Sequence, residues 1–192
     1  MKELGKADNS VHSDDELYNR YVRGDMASGD ALMLRYGDAL TSYLKAFIGN
    51  YHDAEDLMID SFAAVLVSKP KIGEGCFKAY LFKTARHKAC RLWRTKIKQN
   101  EFSLPEDIVS EELTPEKRTI VEENAMSLHR CLNVIPTQYR EALWLKYAMD
   151  LSYEQAAQIM VCSKKKIDNL LMNGKKALRK ELEKEGITGY EI

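Results

Sequence analysis

The chain has 192 residues, is 45% hydrophobic and 30% charged, and balances 29 Lys+Arg against 29 Asp+Glu for a formal net charge of zero. That length fits one domain or two small ones. No apolar run approaches the roughly 18 residues of a membrane span, and the N-terminus MKELGKADNSVHSDDEL has no apolar stretch behind its charges; neither membrane insertion nor a signal peptide is expected, and the cytoplasm is the expected compartment.

Zero net charge conceals a strong segregation. Residues 1–76 carry 8 Lys+Arg against 13 Asp+Glu, and residues 77–100 carry 8 Lys+Arg and no acid. Residues 101–125 carry 8 acids and 2 basic side chains; residues 126–192 carry 11 Lys+Arg and 8 acids, with seven of those basic side chains inside 161–180. Two basic blocks separated by an acidic one predict two contact surfaces for one polyanion, joined by a segment that avoids it.

Apolar residues recur at steps of three and four with no alternating pattern, so the expected fold class is all-α. Two small helical domains are predicted, an N-terminal bundle and a C-terminal helix-turn-helix, joined by an acidic flexible linker. The predicted helices are 14–23, 28–50, 53–68, 77–99, 121–134, 137–149, 152–160 and 164–185. Residues 1–12 and 187–192 read as tails, 13–99 as the first domain, 100–123 as the linker and 124–186 as the second domain.

The helix predicted from 53 carries two faces. Asp53 is placed to cap it, with Glu55 and Asp56 in its first turn. Ala54, Leu57, Met58, Ser61, Phe62 and Val65 share one side; Asp53, Asp56 and Asp60 share another. The acidic side is either a solvated face or a dock for a basic partner helix. No nucleophile, metal-ligand set or glycine loop accompanies these carboxylates, so acid–base catalysis is not expected. A loop with Pro70, Gly73 and Gly75 then leads into the acid-free basic block. There Leu81, Ala85, Ala89 and Leu92 form an apolar stripe, and Tyr80, Lys83, His87, Arg91, Arg94 and Lys98 a basic one headed by an aromatic. Single-stranded nucleic acid needs that pairing: a ring to stack on, at roughly 1–3 kcal/mol per base, and cations for the phosphates. The competing reading makes Tyr80, Phe82 and Trp93 core residues.

The second basic block reads as a helix-turn-helix. Ser152 and Gln155 can form a capping box, Val161 and Cys162 a short turn, and Ser163 the cap of a longer helix. That helix opens with Lys164, Lys165 and Lys166, which oppose the helix macrodipole at roughly 0.3–1 kcal/mol each. Such a violation points to a site where a helix start meets phosphates and base edges. Gly174 in mid-helix costs about 1 kcal/mol against Ala. The four cysteines and four histidines show no metal-ligand spacing, so free buried thiols in a reducing cytosol are expected, Cys162 partly exposed in its turn, with no metal and no cofactor.

Together these blocks resemble the sigma factors of bacterial RNA polymerase, in particular the compact extracytoplasmic-function (ECF) type. DAEDL with Phe62 resembles region 2.2, FKAYLFKTARHKACRLWR regions 2.3 and 2.4, and LHRCLNVIPTQYREALWLKYAMDLSYEQAAQIMVCSKKKIDNLLMNGKKAL region 4. The resemblance implies a subunit that binds core RNA polymerase through Asp53, Asp56, Leu57, Asp60 and Phe62. It implies minus-ten promoter contacts by Ile72, Glu74, Tyr80, Lys83, Arg86, His87, Arg91 and Arg94, with the loop 72–76 cupping a flipped-out base. It implies minus-thirty-five contacts in the major groove by the start of the Lys164 helix, at Ser163, Lys164, Lys165, Lys166, Asn169 and Asn173; amide side chains at 169 and 173 suit adenine edges. Its implied partners are core polymerase, double-stranded and melted promoter DNA, and an anti-sigma factor. The chain departs from the family's usual residues at Ile59, Tyr80, His87, Asp168, Leu170 and Asn173. A LuxR-type helix-turn-helix regulator with an N-terminal sensor, and an interaction module held by an inhibitory protein, are the other readings; no assembled catalytic set supports an enzyme.

Overall fold

The computed structural model describes residues 12–98 and 120–187, which form eight α-helices and, among the described residues, no strand. The first four helices make one bundle. Helix α1 (Asp14–Val22) starts at Ser13, whose hydroxyl accepts from Glu16 N, and carries three acids in its first turn, where the helix dipole favours them. Helix α2 (Met26–Ile48) stops at Gly49, whose φ of 81° is the left-handed turn glycine adopts readily. Helix α3 (Tyr51–Ser68) begins earlier than expected. Asn50, in extended backbone, caps it by accepting from Asp53 N at 3.0 Å. Asp53 is therefore a first-turn residue and not the cap. Helix α4 (Phe77–Lys98) closes the bundle.

Leu32, Leu40, Tyr43, Leu44, Phe62, Phe77, Leu81 and Phe82 are almost fully buried between these helices. Their burial supplies the main drive for the bundle. Asp14 ties α1 to α2: its carboxylate accepts from Arg35 at 2.6 Å and from the Tyr36 hydroxyl.

The second bundle comprises α5 (Ile120–Val134), α6 (Thr137–Leu143), α7 (Tyr153–Met160) and α8 (Lys164–Lys184). Helix α5 begins inside the segment expected as linker; residues 100–119 of that segment lie outside the described residues. Helix α6 runs on through a π-helical turn, Trp144–Ala148. The capping box at Ser152 and Gln155 is formed, and Ser163 caps α8 by accepting from Lys166 N. Leu145, Leu151, Ile159 and Ile167 fill the core. Gly174 lets α8 approach α6 closely: a Cβ there would lie 3.2 Å from Tyr139 Cβ and 3.3 Å from Leu143. The mid-helix glycine is thus a packing residue.

The two bundles touch. Helix α4 packs on α7 and α2 on α6. An acidic linker suggested separate units; the structure instead brings the helix-turn-helix against the basic helix.

Candidate polymerase and nucleic-acid interfaces

Helix α3 splits the expected polymerase-binding residues by burial. Asp56 and Asp60 are exposed, while Asp53 is half-buried. Lys96 of α4 pairs with Asp53, and Lys88 reaches Asp60 at 3.7 Å. Leu57 and Phe62, expected at the same interface, face inward; Phe62 is 1% exposed. Both lie on the apolar side of the helix and pack in the core of the bundle.

On α4 the same division appears. Phe82, Leu81, Ala85 and Ala89 are core, whereas Tyr80 and Trp93 are 38% and 43% exposed. His87, Arg91 and Arg94 are exposed and Lys83 half-buried along the outer face. Tyr80 and these cations therefore share one side of the helix, an aromatic ring in line with positive charge as single-stranded nucleic acid requires, while Trp93 lies off that line. The preceding loop is held at several points: Tyr18 donates to Pro70 O at 2.7 Å, and Gly75 N donates to Asp15 at 2.7 Å. Ile72 is half-buried against the core and Glu74 exposed.

Arg86 departs from the strip. Its Nε donates to Glu141 Oε1 at 2.6 Å, and a second guanidinium nitrogen lies 3.4 Å from Oε2. Tyr43 OH donates to the same Oε1 at 2.8 Å. Glu141 belongs to α6 and is 5% exposed. Burial opposes the Arg86 charge, but the Glu141 carboxylate more than restores it, and the guanidinium pKa is raised. Burial and the same carboxylate push the Tyr43 phenol well above its ordinary value. The sequence offered no signal for this cluster, because its members are 98 and 55 positions apart.

At the start of α8, Ser163, Lys165, Lys166, Asn169 and Asn173 are exposed on one end and face of the helix, as is Asp168. Lys164 is also exposed but is ion-paired with Glu154 of α7. Leu170 is 7% exposed and packs in the core. An apolar cavity of about 390 Å³ opens between α5, α6 and α8, lined by Leu128, Leu132, Leu143, Trp144, Tyr147 and Leu182 among others; sequence periodicity did not distinguish it from core.

Among the described residues, no helix is long and apolar enough to cross a membrane, and no cluster of His, Cys, Asp and Glu is arranged to hold a metal ion.

The comparisons with known proteins agree with this geometry. The family description "Sigma-70 region 2" matches residues 32–98, and "Sigma-70, region 4" matches residues 125–178, together more than half of the chain. The RNA polymerase sigma-H factor of Pseudomonas aeruginosa is 23% identical over 181 residues, covering 88% of this chain and 94% of its own. The ECF RNA polymerase sigma factor SigM of Bacillus subtilis is 24% identical over 155 residues, covering 78% and 92%. Among solved structures, the Bartonella quintana sigma factor RpoE, in a complex with the anti-sigma factor NepR, superposes with a TM-score of 0.66 at 21% identity, over 80% of this chain and 96% of that one. CnrH, in complex with the cytosolic domain of CnrY, gives 0.64 at 20% identity, over 88% and 97%. The chain belongs to the ECF-type sigma factors of RNA polymerase. Its function is promoter recognition and transcription initiation. Residues 32–98, where the LuxR-type reading placed a sensor, match Sigma-70 region 2.

Proposed function

We propose that the work of initiation is divided among three surfaces, on the segments 13–99 and 124–186. The exposed carboxylates of α3, Asp56 and Asp60, with Asp53 beside them, dock core RNA polymerase. The strip Tyr80, Lys83, His87, Arg91 and Arg94, with Arg86 on its flank and the loop carrying Ile72 and Glu74, melts and holds the minus-ten element. The α8 start, with Ser163, Lys164, Lys165, Lys166, Asn169 and Asn173, sits in the major groove at the minus-thirty-five element.

The observation that carries this reading is the exposure of Tyr80 in line with His87, Arg91 and Arg94 along one side of α4. The Tyr80 ring at the head of a cationic strip is 38% exposed, and a stacked base would cover that exposed part. The chemistry is positioning without catalysis: stacking, phosphate neutralisation and a protein dock. The compartment that fits is the cytoplasm, where polymerase and DNA are. The structurally similar Bartonella quintana RpoE, co-crystallised with the anti-sigma factor NepR, supports an anti-sigma factor as a further partner.

The dock is tested by Asp56→Arg with Asp60→Arg. Both side chains are exposed, so the fold and melting temperature are retained. The double variant fails to co-elute with core polymerase on gel filtration. Normal co-elution would refute the assignment.

A further inference from the structure

The cavity between α5, α6 and α8 has a cation in its wall with no anion beside it among the described residues. Arg140 stands there with Trp144, one turn further along the same helix, among otherwise apolar side chains. The Arg140 guanidinium donates to Asn133 Oδ1 at 2.8 Å and lies 3.4 Å from Asn133 O and from Thr137 Oγ1, all neutral acceptors. Its Nε and the Trp144 indole Nε1 are both buried and have no hydrogen-bond partner among the described residues. None of the residues lining the cavity is acidic, and the adjacent Glu141 is committed to Tyr43 and Arg86.

Both features are costly. A half-buried cation without a counter-charge gives up hydration for nothing, and burial alone pulls the Arg140 pKa below its ordinary value. A buried donor without an acceptor loses its bond to water in the same way. The positive field extends past Arg140: burial first, then Lys45 and Arg140, lower the His129 pKa. About two turns along from Arg140, Lys175 lies over the Tyr147 ring, 4.8 Å from its centroid. We propose that this cavity binds a small amphipathic acid, whose carboxylate sits on Arg140 and Trp144 Nε1 and whose alkyl tail runs along Leu132, Leu143, Leu178 and Leu182.

Size and chemistry both select that class of ligand. A volume of about 390 Å³ falls in the range of small-molecule pockets, roughly 300–1,000 Å³. The two unpartnered nitrogens lie within the wall, where a helix about 10–12 Å wide resting across the mouth does not reach, whereas a single alkyl chain enters. A carboxylate brings two acceptor oxygens and one negative charge, so one group answers both donors and balances the guanidinium. A neutral head group would leave the charge unbalanced, and a cationic one would be repelled. The site is built from α5, α6 and the far half of α8, away from the lysines at the start of α8. It stands independently of the polymerase and DNA surfaces and gives the chain a small-molecule input.

The test titrates the whole chain by calorimetry with octanoate below its micelle concentration, and with octanol and octyltrimethylammonium, which carry the same tail. Octanoate is expected to saturate at one molecule per chain and to bind about tenfold more tightly than octanol, with the cationic probe weaker still. Arg140→Gln removes the charge; it should bring octanoate down to the level of octanol and leave octanol unchanged. Equal affinity for octanoate and octanol, no saturable binding of octanoate, or undiminished octanoate affinity in Arg140→Gln overturns the proposal. Should Arg140→Gln not fold, judged by circular dichroism, Leu128→Trp decides. Leu128 lines the cavity and is 36% exposed, so an indole there blocks entry; lost octanoate binding supports the site, and retained binding overturns it. An acidic amphipathic peptide is titrated in parallel. Saturable binding of the peptide with none of octanoate overturns the small-molecule reading and gives the cavity to a protein partner.

Discussion

Lys164 at the start of α8 is ion-paired with Glu154 at the start of α7, across the turn of the helix-turn-helix. The hydrogen bond between them holds the Glu154 carboxyl below its ordinary value and the Lys164 ammonium above it. The three lysines at the start of α8 are thus unequal. Lys165 and Lys166 have their charge available to a polyanion, and Lys164 has a neighbouring anion already. Lys165→Ala or Lys166→Ala should weaken duplex binding evenly across promoter sequences and lower the salt slope by about 1 each. Lys164→Ala should do less, and Glu154→Gln should strengthen binding. Titrations at several salt concentrations check this; an equal loss at all three lysines, or a loss confined to one sequence, would contradict it.

Tyr80 supplies a ring and no required hydroxyl. Tyr80→Phe should therefore leave binding of a premelted promoter by the polymerase complex unchanged, while Tyr80→Ala loses about 1–3 kcal/mol, the worth of one stacked base. Anisotropy with a bubble template measures both. A loss in the Phe variant would move the contact from the ring to the hydroxyl.

Val161 closes α7 with φ 53° and ψ 53°, the left-handed conformation, while its side chain is 66% exposed. A β-branched residue there carries strain of about 1–2 kcal/mol, and its exposed side chain recovers little by burial. Val161→Gly should stabilise the C-terminal bundle by about 1 kcal/mol after the added unfolded-state entropy of glycine. Urea denaturation reads the change; destabilisation would show that the valine is held by something other than its turn.

Gly174 poses the opposite case. Ala there gains about 1 kcal/mol of helix propensity but must displace Tyr139 and Leu143, whose atoms would lie 3.2 and 3.3 Å from the new Cβ. The two effects nearly cancel, so Gly174→Ala should stay within about 1 kcal/mol of the parent. Gly174→Val adds bulk with no room and should cost about 1–3 kcal/mol by overpacking. Thermal melts distinguish them; a tolerated valine would mean that α6 and α8 shift apart freely.

Alkali should open the structure. Burial, first, raises the phenols of Tyr18, Tyr36 and Tyr43; Tyr80 adds to the effect at Tyr18, the Asp14 carboxylate at Tyr36 and Glu141 at Tyr43. A raised folded value means that the contribution to stability is complete below the unfolded value of about 10 and is lost as pH rises from there through the folded value. The melting temperature should hold up to about pH 10 and fall above it, with some phenolate absorbance appearing only as the chain unfolds. All ten tyrosines ionising normally in the folded chain would contradict this.

Much of this was legible in the residues. Ser152, Gln155 and Ser163 mark their helix starts because caps act locally, and the apolar stripe of α4 follows from its period. Asp53 misled as a cap because Asn50, three residues earlier, competes for the same role and wins with its extended backbone. Leu57 and Phe62 were grouped with Asp56 by motif, yet helical geometry sends them to the other face. The Glu141 cluster was illegible for a different reason. It depends on how two bundles meet, and no local pattern reports on partners in another bundle.

The central claim is that this chain confers promoter-specific initiation on core RNA polymerase. Transcription of a fragmented genomic DNA library by core polymerase, with and without the chain, tests it most directly. The expected result is a discrete set of start sites that appear only with the chain and vanish with Asp56→Arg and Asp60→Arg. The same start sites from core polymerase alone, or none from the combination while the chain still binds DNA, would contradict it.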